Sequence, residues 1–361
     1  MLPRRMDPYD LTPTVPEDRR IAQDWSRLAR YLAGQGMTFD DRIAPVQFAG
    51  GFGNLNYRLV IDGRPAVLRR PPPGPAPAGA HDMVREGRIL TGLAPLFDLA
   101  PRCLHVCGNT EVLGAPFLVM EYRPGIVIRD RLPQHHATVS GTGERLADTL
   151  VEVLARLHRV DPDRAGLGTL GRPDGLLTRT AQGWARRAEQ AWDGTAPRQA
   201  RELLDLLARY DQAPDQAVLL HNDYKLDNLI LEPDSLEPRA LIDWDLGTRG
   251  SALWDLAVLL SYWSEPQDPD ALRTLGQMPT AAPGFPSRRE VAARYAAATG
   301  RDLSGLAPWR AVAQFRLAVV FRQIYRRHRD GDGGIAGADR FGTLADGLLG
   351  VAGMVMAGEL D

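Results

Sequence analysis

His221, Asp223, Lys225 and Asn228 fall within one short run, His-Asn-Asp-Tyr-Lys-Leu-Asp-Asn, and the apolar segment 240–242 ends on Asp243. Together they supply a base, a phosphate-facing lysine and two metal ligands, the parts that phosphoryl transfer needs. Asp223 can hydrogen-bond an acceptor hydroxyl and take its proton. Lys225, two residues on, reaches the same side of the loop and can neutralise charge on the moving phosphoryl group. Asn228 can bind Mg²⁺ through its amide oxygen. Residues 229–231 and 240–242 read as a hairpin that returns Asp243 beside it, and a carboxylate with an amide oxygen suits hard Mg²⁺. His221 is expected to brace the loop. Asp245 reads either as a further acid near the metal or as a solvated one. Asp255 opens a helix and can accept hydrogen bonds from the loop backbone.

A nucleotide needs its own contacts. Gly50-Gly51-Phe52-Gly53-Asn54 lies between two predicted strands, where glycines let backbone N–H groups approach phosphate oxygens. The Gly-x-x-x-x-Gly-Lys-Ser/Thr spacing is missing, so a P-loop is excluded. The strand after the glycine loop carries Arg69 and Arg70 and no lysine, and the next helix carries Glu86. Neighbours on a strand point to opposite faces. The alternation puts Val67 with Arg69 and Leu68 with Arg70, so Arg69 is expected to pair with Glu86 and hold phosphates with a guanidinium fork.

These residues need elements to hold them. Residues 1–16 carry four prolines and no apolar periodicity. Residues 20–32 place Ile21, Trp25, Leu28, Ala29 and Leu32 on one helical stripe. Strands are expected over 43–48, 56–61 and 66–69, the last two joined by an Asp62-Gly63 turn. The prolines of 71–79 cannot pair into a sheet. A helix follows over 81–93, strands over 104–107 and 117–122, and a break at Arg123-Pro124-Gly125. Beyond it 144–160, 180–192, 198–210, 253–263, 288–298 and 309–329 read as helices. The organisation is therefore an arm (1–19), a β-rich lobe with the glycine loop (20–122) and a helical lobe with the catalytic and metal-binding loops (123–361).

The chain has 361 residues, 43 Lys plus Arg, 45 Asp plus Glu and a net charge of −2, which is no nucleic-acid signature. The start lacks the apolar stretch of a signal peptide. The segment 344–357 is broken by Asp346 and shorter than the ~20 residues of a spanning helix, so it reads as a packed helix. Cys103 and Cys107, the only cysteines, are too few for a zinc site and are expected to face one side of a strand. Reduced thiols make a cytoplasmic protein the default.

The motifs resemble, in order and over residues 40–330, the aminoglycoside phosphotransferase and choline kinase superfamily, which is protein-kinase-like. The resemblance rests on the loops at 221–245, the glycine loop at 50–57, Arg69, Glu86, the segment 117–122, Leu154-Ala-Arg-Leu-His158 and Asp255-Leu-Ala257. It implies an α+β bilobal fold, a small antiparallel β-sheet lobe before a larger helical one. It also implies an ATP- or GTP-dependent kinase with Mg²⁺, whose hinge strand meets the nucleotide through Met120, Glu121 and Tyr122. Leu68-Arg-Arg-Pro-Pro-Pro-Gly74, Ala80 to Glu86 and the segment 315–327 are similar to phosphotransferase domains fused to, or encoded beside, acyl-CoA dehydrogenases. That likeness implies a hydroxy acid or hydroxyacyl thioester as acceptor. The sequence departs from the family at Asn222, where glycine is commonest, and at Lys225, where arginine or histidine is more usual.

Between 301 and 340 there are eight arginines and four acids. An arginine-rich lobe suits an anionic acceptor, with Arg322 and Arg326 as its candidate contacts. An antibiotic or amino-alcohol kinase and a nucleotide-binding regulatory module without turnover stay open as alternatives. A protein-substrate kinase is disfavoured, because residues 243–255 leave no room for a peptide-docking segment. Neither nucleic acid nor membrane is expected as a partner, and the oligomeric state is open, a dimer included.

Overall fold

The computed structural model describes residues 13–49, 53–74, 81–210, 216–331 and 339–360. In chain order these residues form α1 (Trp25–Gly34), β1 (Val46–Gln47), β2 (Leu55–Ile61), β3 (Arg64–Arg70), α2 (Met83–Leu93), β4 (Cys103–Cys107), α3 (Thr110–Leu113), β5 (Phe117–Glu121) and β6 (Ile126–Val127). Next come α4 (Gln134–Ala137), α5 (Thr142–His158), α6 (Leu176–Ala191), α7 (Arg198–Ala208), β7 (Val218–Leu220), β8 (Leu229–Leu231), β9 (Pro238–Leu241) and β10 (Thr248–Gly250). Last are α8 (Leu253–Tyr262), α9 (Asp270–Arg273), α10 (Arg288–Thr299), α11 (Leu306–Arg329) and α12 (Arg340–Ala357). The fold is α+β, an antiparallel sheet in the N-terminal region and helices after it.

The described residues make two compact units. The first runs up to Val127 and adds Asp163–Gly168 and Asn228–Gly247. The hairpin carrying Asp243 thus belongs to the β-rich unit, although it follows the break at 123–125 by a hundred residues. The second unit is Ile128–Pro162, Thr169–Asp227 and the residues from Thr248 onward.

In the first unit the sheet order is β1-β2-β3-β5-β4, all antiparallel. The β2–β3 hairpin pairs Ile61 with Arg64 across Asp62 and Gly63, both at positive φ (51° and 72°). A two-residue turn of that kind matches the twist of the strands it joins. One face of the sheet presents Tyr57, Leu59, Ile61, Leu68, Phe117 and Val119 to Leu28 and Leu32 of α1. The opposite face, with Val67, Arg69, Leu118 and Met120, lies toward α2. Gly87 permits that approach, because a Cβ there would strike the Val106 side chain.

Several expected boundaries move. The first helix starts at Trp25, capped by the Asp24 carboxylate on the Arg27 N–H (2.8 Å), and leaves Ile21 outside it and exposed. Of the expected 43–48 strand only Val46–Gln47 form the strand β1, and Phe48 adds a single bridge to Thr14. Cys103 and Cys107 do not share a face. A bulge at 103–105 pairs Cys103 with Met120 and Cys107 with Phe117, and those partners lie on opposite faces of β5. One extra residue in a strand reverses the alternation beyond it.

In the second unit α8 is apolar around its circumference, and Trp254–Tyr262 are all buried. Such a helix belongs inside, and here it packs against α11. α11 also packs on α12 and α6, and α5 packs on α10. The segment 344–357 is the inner part of α12, and no helix among the described residues is long and apolar enough to cross a membrane.

Gly87→Ala tests the α2 approach. Alanine gains ~1 kcal/mol in helix propensity, yet the overlap with Val106 in a packed layer costs about 1–3 kcal/mol. The expected outcome is a lower thermal midpoint, read by calorimetry. An unchanged or raised midpoint would show that β4 yields freely.

Candidate functional site

Gly50, Gly51 and Phe52 lie outside the described residues. The described end of that loop is held by side chains. Gly53 has the His81 ring 3.0 Å from where a Cβ would stand, and Asn54 Nδ2 donates to Asp245 Oδ2 at 3.2 Å. On β3 the two arginines diverge. Arg70 reaches Gln23 and donates to the Leu113 carbonyl at 2.5 Å. Arg69, on the α2 side, pairs with Glu86 (Nε–Oε2 2.9 Å), donates to Asp243 Oδ1 and stands 3.6 Å from Asp245. Glu86 also accepts the Trp244 N–H at 3.3 Å.

Three carboxylates therefore share one guanidinium in the first unit. Burial pulls Arg69 down, but Asp243, Glu86 and Asp245 outweigh it and hold the guanidinium above its ordinary value, so it stays charged. The acids bear the surplus. Burial pushes Glu86 up to about 6 against the pull of Arg69. Burial and then the Asp243 charge push Asp245 up to about 8. Carboxyls raised by a neighbouring like charge mark a place where a cation would be stabilised.

Asn228 lies in this unit too, joined to the Asp243 strand by the Ile242 N–H on its carbonyl (2.9 Å). Asp243 sits at φ 71°, a left-handed conformation that turns the chain as β9 ends. Among the described residues no group of three or more His, Cys, Asp or Glu is arranged to hold a metal. The donor set is one carboxylate, Asp243, and one amide, Asn228, which is sparse for a protein-only site. It fits Mg²⁺, which keeps waters and takes phosphate oxygens as its other ligands.

Of the hinge residues, Met120 is buried. Glu121 accepts from Arg123 (3.1 Å) and Arg102 (3.4 Å). The Tyr122 ring lies parallel to that of Phe48, 6.2 Å between centroids, with the Arg58 guanidinium 6.0 Å away.

The second unit carries Asp223. Its Oδ1 accepts from Arg316 Nη2 at 3.0 Å and from the Tyr262 hydroxyl at 3.3 Å, and its Oδ2 lies 3.5 Å from Lys225 Nζ. Burial pushes this carboxyl up, but Lys225 and then Arg316 outweigh it and hold it well below the usual carboxylate range. Lys225 also lies 3.3 Å from Asp227 and 5.1 Å from the centre of the Tyr262 ring. Burial raises Asp227, with Lys225 pulling the other way.

The loop before Asp223 is pinned by α8. Asp255 is fully buried; it accepts the His221 N–H and the Asn222 N–H, each at 2.7 Å. His158 Nε2 lies 3.3 Å from the same carboxylate, and its other ring nitrogen meets the Tyr295 hydroxyl at 2.6 Å. His221 is fully buried and its Nδ1 accepts the Asp223 N–H at 3.3 Å. Asn222 has φ 70°. That conformation explains asparagine where glycine is commoner, since Asn tolerates the left-handed region. Its side-chain oxygen accepts from Trp254 Nε1.

Arg322 and Arg326 lie elsewhere. Arg322 stacks near Trp192 and Tyr325 (5.2 and 5.3 Å) with Asp346 3.7 Å away. Arg326 is 3.4 Å from Asp330. The arginine at Asp223 is Arg316. Sequence reasoning missed it in that place, along with Asp227, Tyr262 and the His158–Tyr295 pair. A signal existed for Arg316: it interrupts an apolar stretch from Phe315 to Phe321, and an arginine there needs a partner once buried.

Asp255→Ala would leave two backbone N–H groups buried without an acceptor. At about 1–3 kcal/mol each, the variant should lose about 2–5 kcal/mol in a denaturant titration. Asp255→Asn, which keeps one acceptor, should lose less. Equal stability of wild type and the alanine variant would remove Asp255 as the clamp.

The chain matches the phosphotransferase enzyme family over residues 45–309. It is 28% identical over 343 residues to acyl-CoA dehydrogenase family member 10 of Mus musculus, covering 94% of this chain and 32% of that protein. It is 28% identical to acyl-CoA dehydrogenase family member 11 of Rattus norvegicus, over 84% of this chain and 39% of that one. The chain thus spans about a third of the length of these relatives. Among solved structures, a proposed aminoglycoside phosphotransferase of Ralstonia eutropha superposes with a TM-score of 0.74 at 26% identity, covering 93% of this chain and 99% of the other. The fold likeness extends to an aminoglycoside phosphotransferase solved with ADP and hygromycin B (TM-score 0.57, 16% identity, 91% and 98% covered). A match across well over half of its length places the chain in the phosphotransferase enzyme family.

Proposed function

We propose that the acceptor is an anionic hydroxy compound, a hydroxy acid or hydroxyacyl thioester, with Asp223 as the base that orients its hydroxyl. The observation that carries this reading is Asp223 itself, a carboxylate held anionic by Lys225 and Arg316 on a loop fixed by Asp255. The two charged side chains paired with it are both cations, which suits an acceptor that brings negative charge. The acyl-CoA dehydrogenase relatives point the same way. An aminoglycoside, itself a polycation, would meet like charge here.

In this reading Asn228 and Asp243 hold Mg²⁺, which would neutralise charge on the nucleotide phosphates when bound. Arg69, kept in place by Glu86, contacts those phosphates. Gly50, Gly51, Phe52, Gly53 and Asn54 cover them, and Met120, Glu121 and Tyr122 meet the base of ATP or GTP. Lys225 is placed to follow the charge of the transferred group. Asp223 and Asn228 are five residues apart, so the chain limits their separation to roughly 18 Å. Cytoplasmic residence is part of the same proposal.

A phosphate-transfer screen tests the acceptor, with ATP and GTP against hydroxy acids, their thioesters, choline, homoserine and kanamycin. Phosphorylation confined to polycations would overturn the proposed class. Asp223→Asn should keep nucleotide binding and lose ~10²–10⁴-fold in turnover; near-normal turnover would sink the base role. Asp243→Ala should lose the Mg²⁺-dependent part of nucleotide affinity. Calorimetry with and without Mg²⁺ decides, and an unaltered metal dependence would show the ligand assignment to be wrong.

A further inference from the structure

We infer that Arg187, Trp184 and Arg316 form the subsite that receives the anionic group of the acceptor. This rests on the reading above and deepens it.

The three residues come from α6 and α11, which pack together in the second unit. Arg316 uses one nitrogen on Asp223, at 3.0 Å. Its guanidinium carbon lies 6.0 Å from the centre of the Trp184 ring, and that of Arg187 lies 4.6 Å from the same ring. Trp184 and Arg187 are three apart on a helix, so they share a face. Both guanidiniums therefore lie against one indole, within range of each other's charge.

Their charges are not balanced from within the unit. Arg187 is exposed, and no carboxylate pairs with it among the described residues. Partial burial, then Arg186 and Arg316, push it below its ordinary value. Lys225 and Arg316 are matched by Asp223 and Asp227, whereas Arg187 adds a further cation that interacts with Arg316. Like charges crowded in this way repel at close range, and an entering anion relieves the repulsion while gaining forked hydrogen bonds.

The place of the cluster selects its ligand. Arg316 touches Asp223, whose other task is the acceptor hydroxyl, whereas Arg69 serves the nucleotide phosphates. The subsite is thus suited to a carboxylate or phosphate borne by the acceptor a few bonds from the hydroxyl. It also gives Arg316 two tasks, steadying the base and meeting the anion. Arg187 has only the second, and that makes it the better residue to change.

Two measurements test this on the full chain with Mg–ADP present. In the first, inorganic sulfate is titrated by calorimetry into wild type, Arg187→Gln and the exposed control Arg327→Gln. Sulfate should bind wild type and the control alike and bind Arg187→Gln at least about fivefold more weakly. No binding to wild type, or equal binding to all three, would overturn the subsite. In the second, with ATP, 3-hydroxybutanoate is compared with its uncharged amide. Arg187→Gln should raise KM for the acid about tenfold, leave kcat nearly unchanged and leave the amide unaffected. An equal change for acid and amide would overturn the subsite and leave the proposed acceptor class standing. If only neutral or cationic acceptors turn over, the acceptor class fails, and the sulfate titration still decides the subsite.

Discussion

The second unit depends on one fully buried carboxylate, that of Asp255. It accepts two successive backbone N–H groups, from His221 and Asn222, and meets the His158 ring. A buried carboxylate is costly unless hydrogen bonds compensate it, and here the compensation comes from the loop whose shape matters. Stabilising the acid and shaping the loop are therefore one event. The left-handed turn at Asn222 follows, because both amides must point at one side chain. α8 is buried along its length and cannot shift without opening the core, so the clamp passes that rigidity to the loop. Tyr295 on α10 completes the chain through His158.

The first unit solves a different problem with the same groups. Glu86, Asp243 and Asp245 crowd one arginine, and burial together with the Asp243 charge leaves Asp245 raised to about 8. Such an arrangement would be improved by a divalent cation, since a +2 charge offsets both the burial of the acids and their mutual repulsion. The second unit shows the reverse, with cations in surplus near Asp223. Each half of the chemistry thus displays the charge opposite to that of the ligand proposed for it, a cation and an anion respectively.

Much of this was legible in the sequence, for reasons that differ by element. The Asp62-Gly63 turn is set by local conformational preference, and the alternation that separates Arg69 from Arg70 is a property of any strand. Those features need no knowledge of distant residues. The cysteines illustrate the limit: a single bulge at 103–105 reverses the facing of β4, and nothing in Cys-Leu-His-Val-Cys announces it. Arg316 illustrates another. Its partner lies 93 residues away, so counting arginines along α11 could locate a basic helix but not the member that meets Asp223. The assignment of the 228–247 hairpin to the first unit is likewise tertiary, since the hydrogen bond from Leu241 to Leu99 has no local signature.

The state of Asp223 bears on how the proposed reaction runs. A carboxylate held well below its usual range is a weak base, poorly suited to removing a proton from an alcohol in advance. It is well suited to accepting a hydrogen bond and fixing the direction of the oxygen lone pair. A loose phosphoryl transition state demands little of the nucleophile. The hydroxyl proton becomes acidic only as the oxygen bonds to phosphorus, and at that stage a weak base suffices. Lys225 and Arg316 therefore do not impair the base by holding it ionised. They keep it available as an anion well below the pH at which an ordinary carboxylate takes a proton, and they let orientation, rather than basicity, be its contribution.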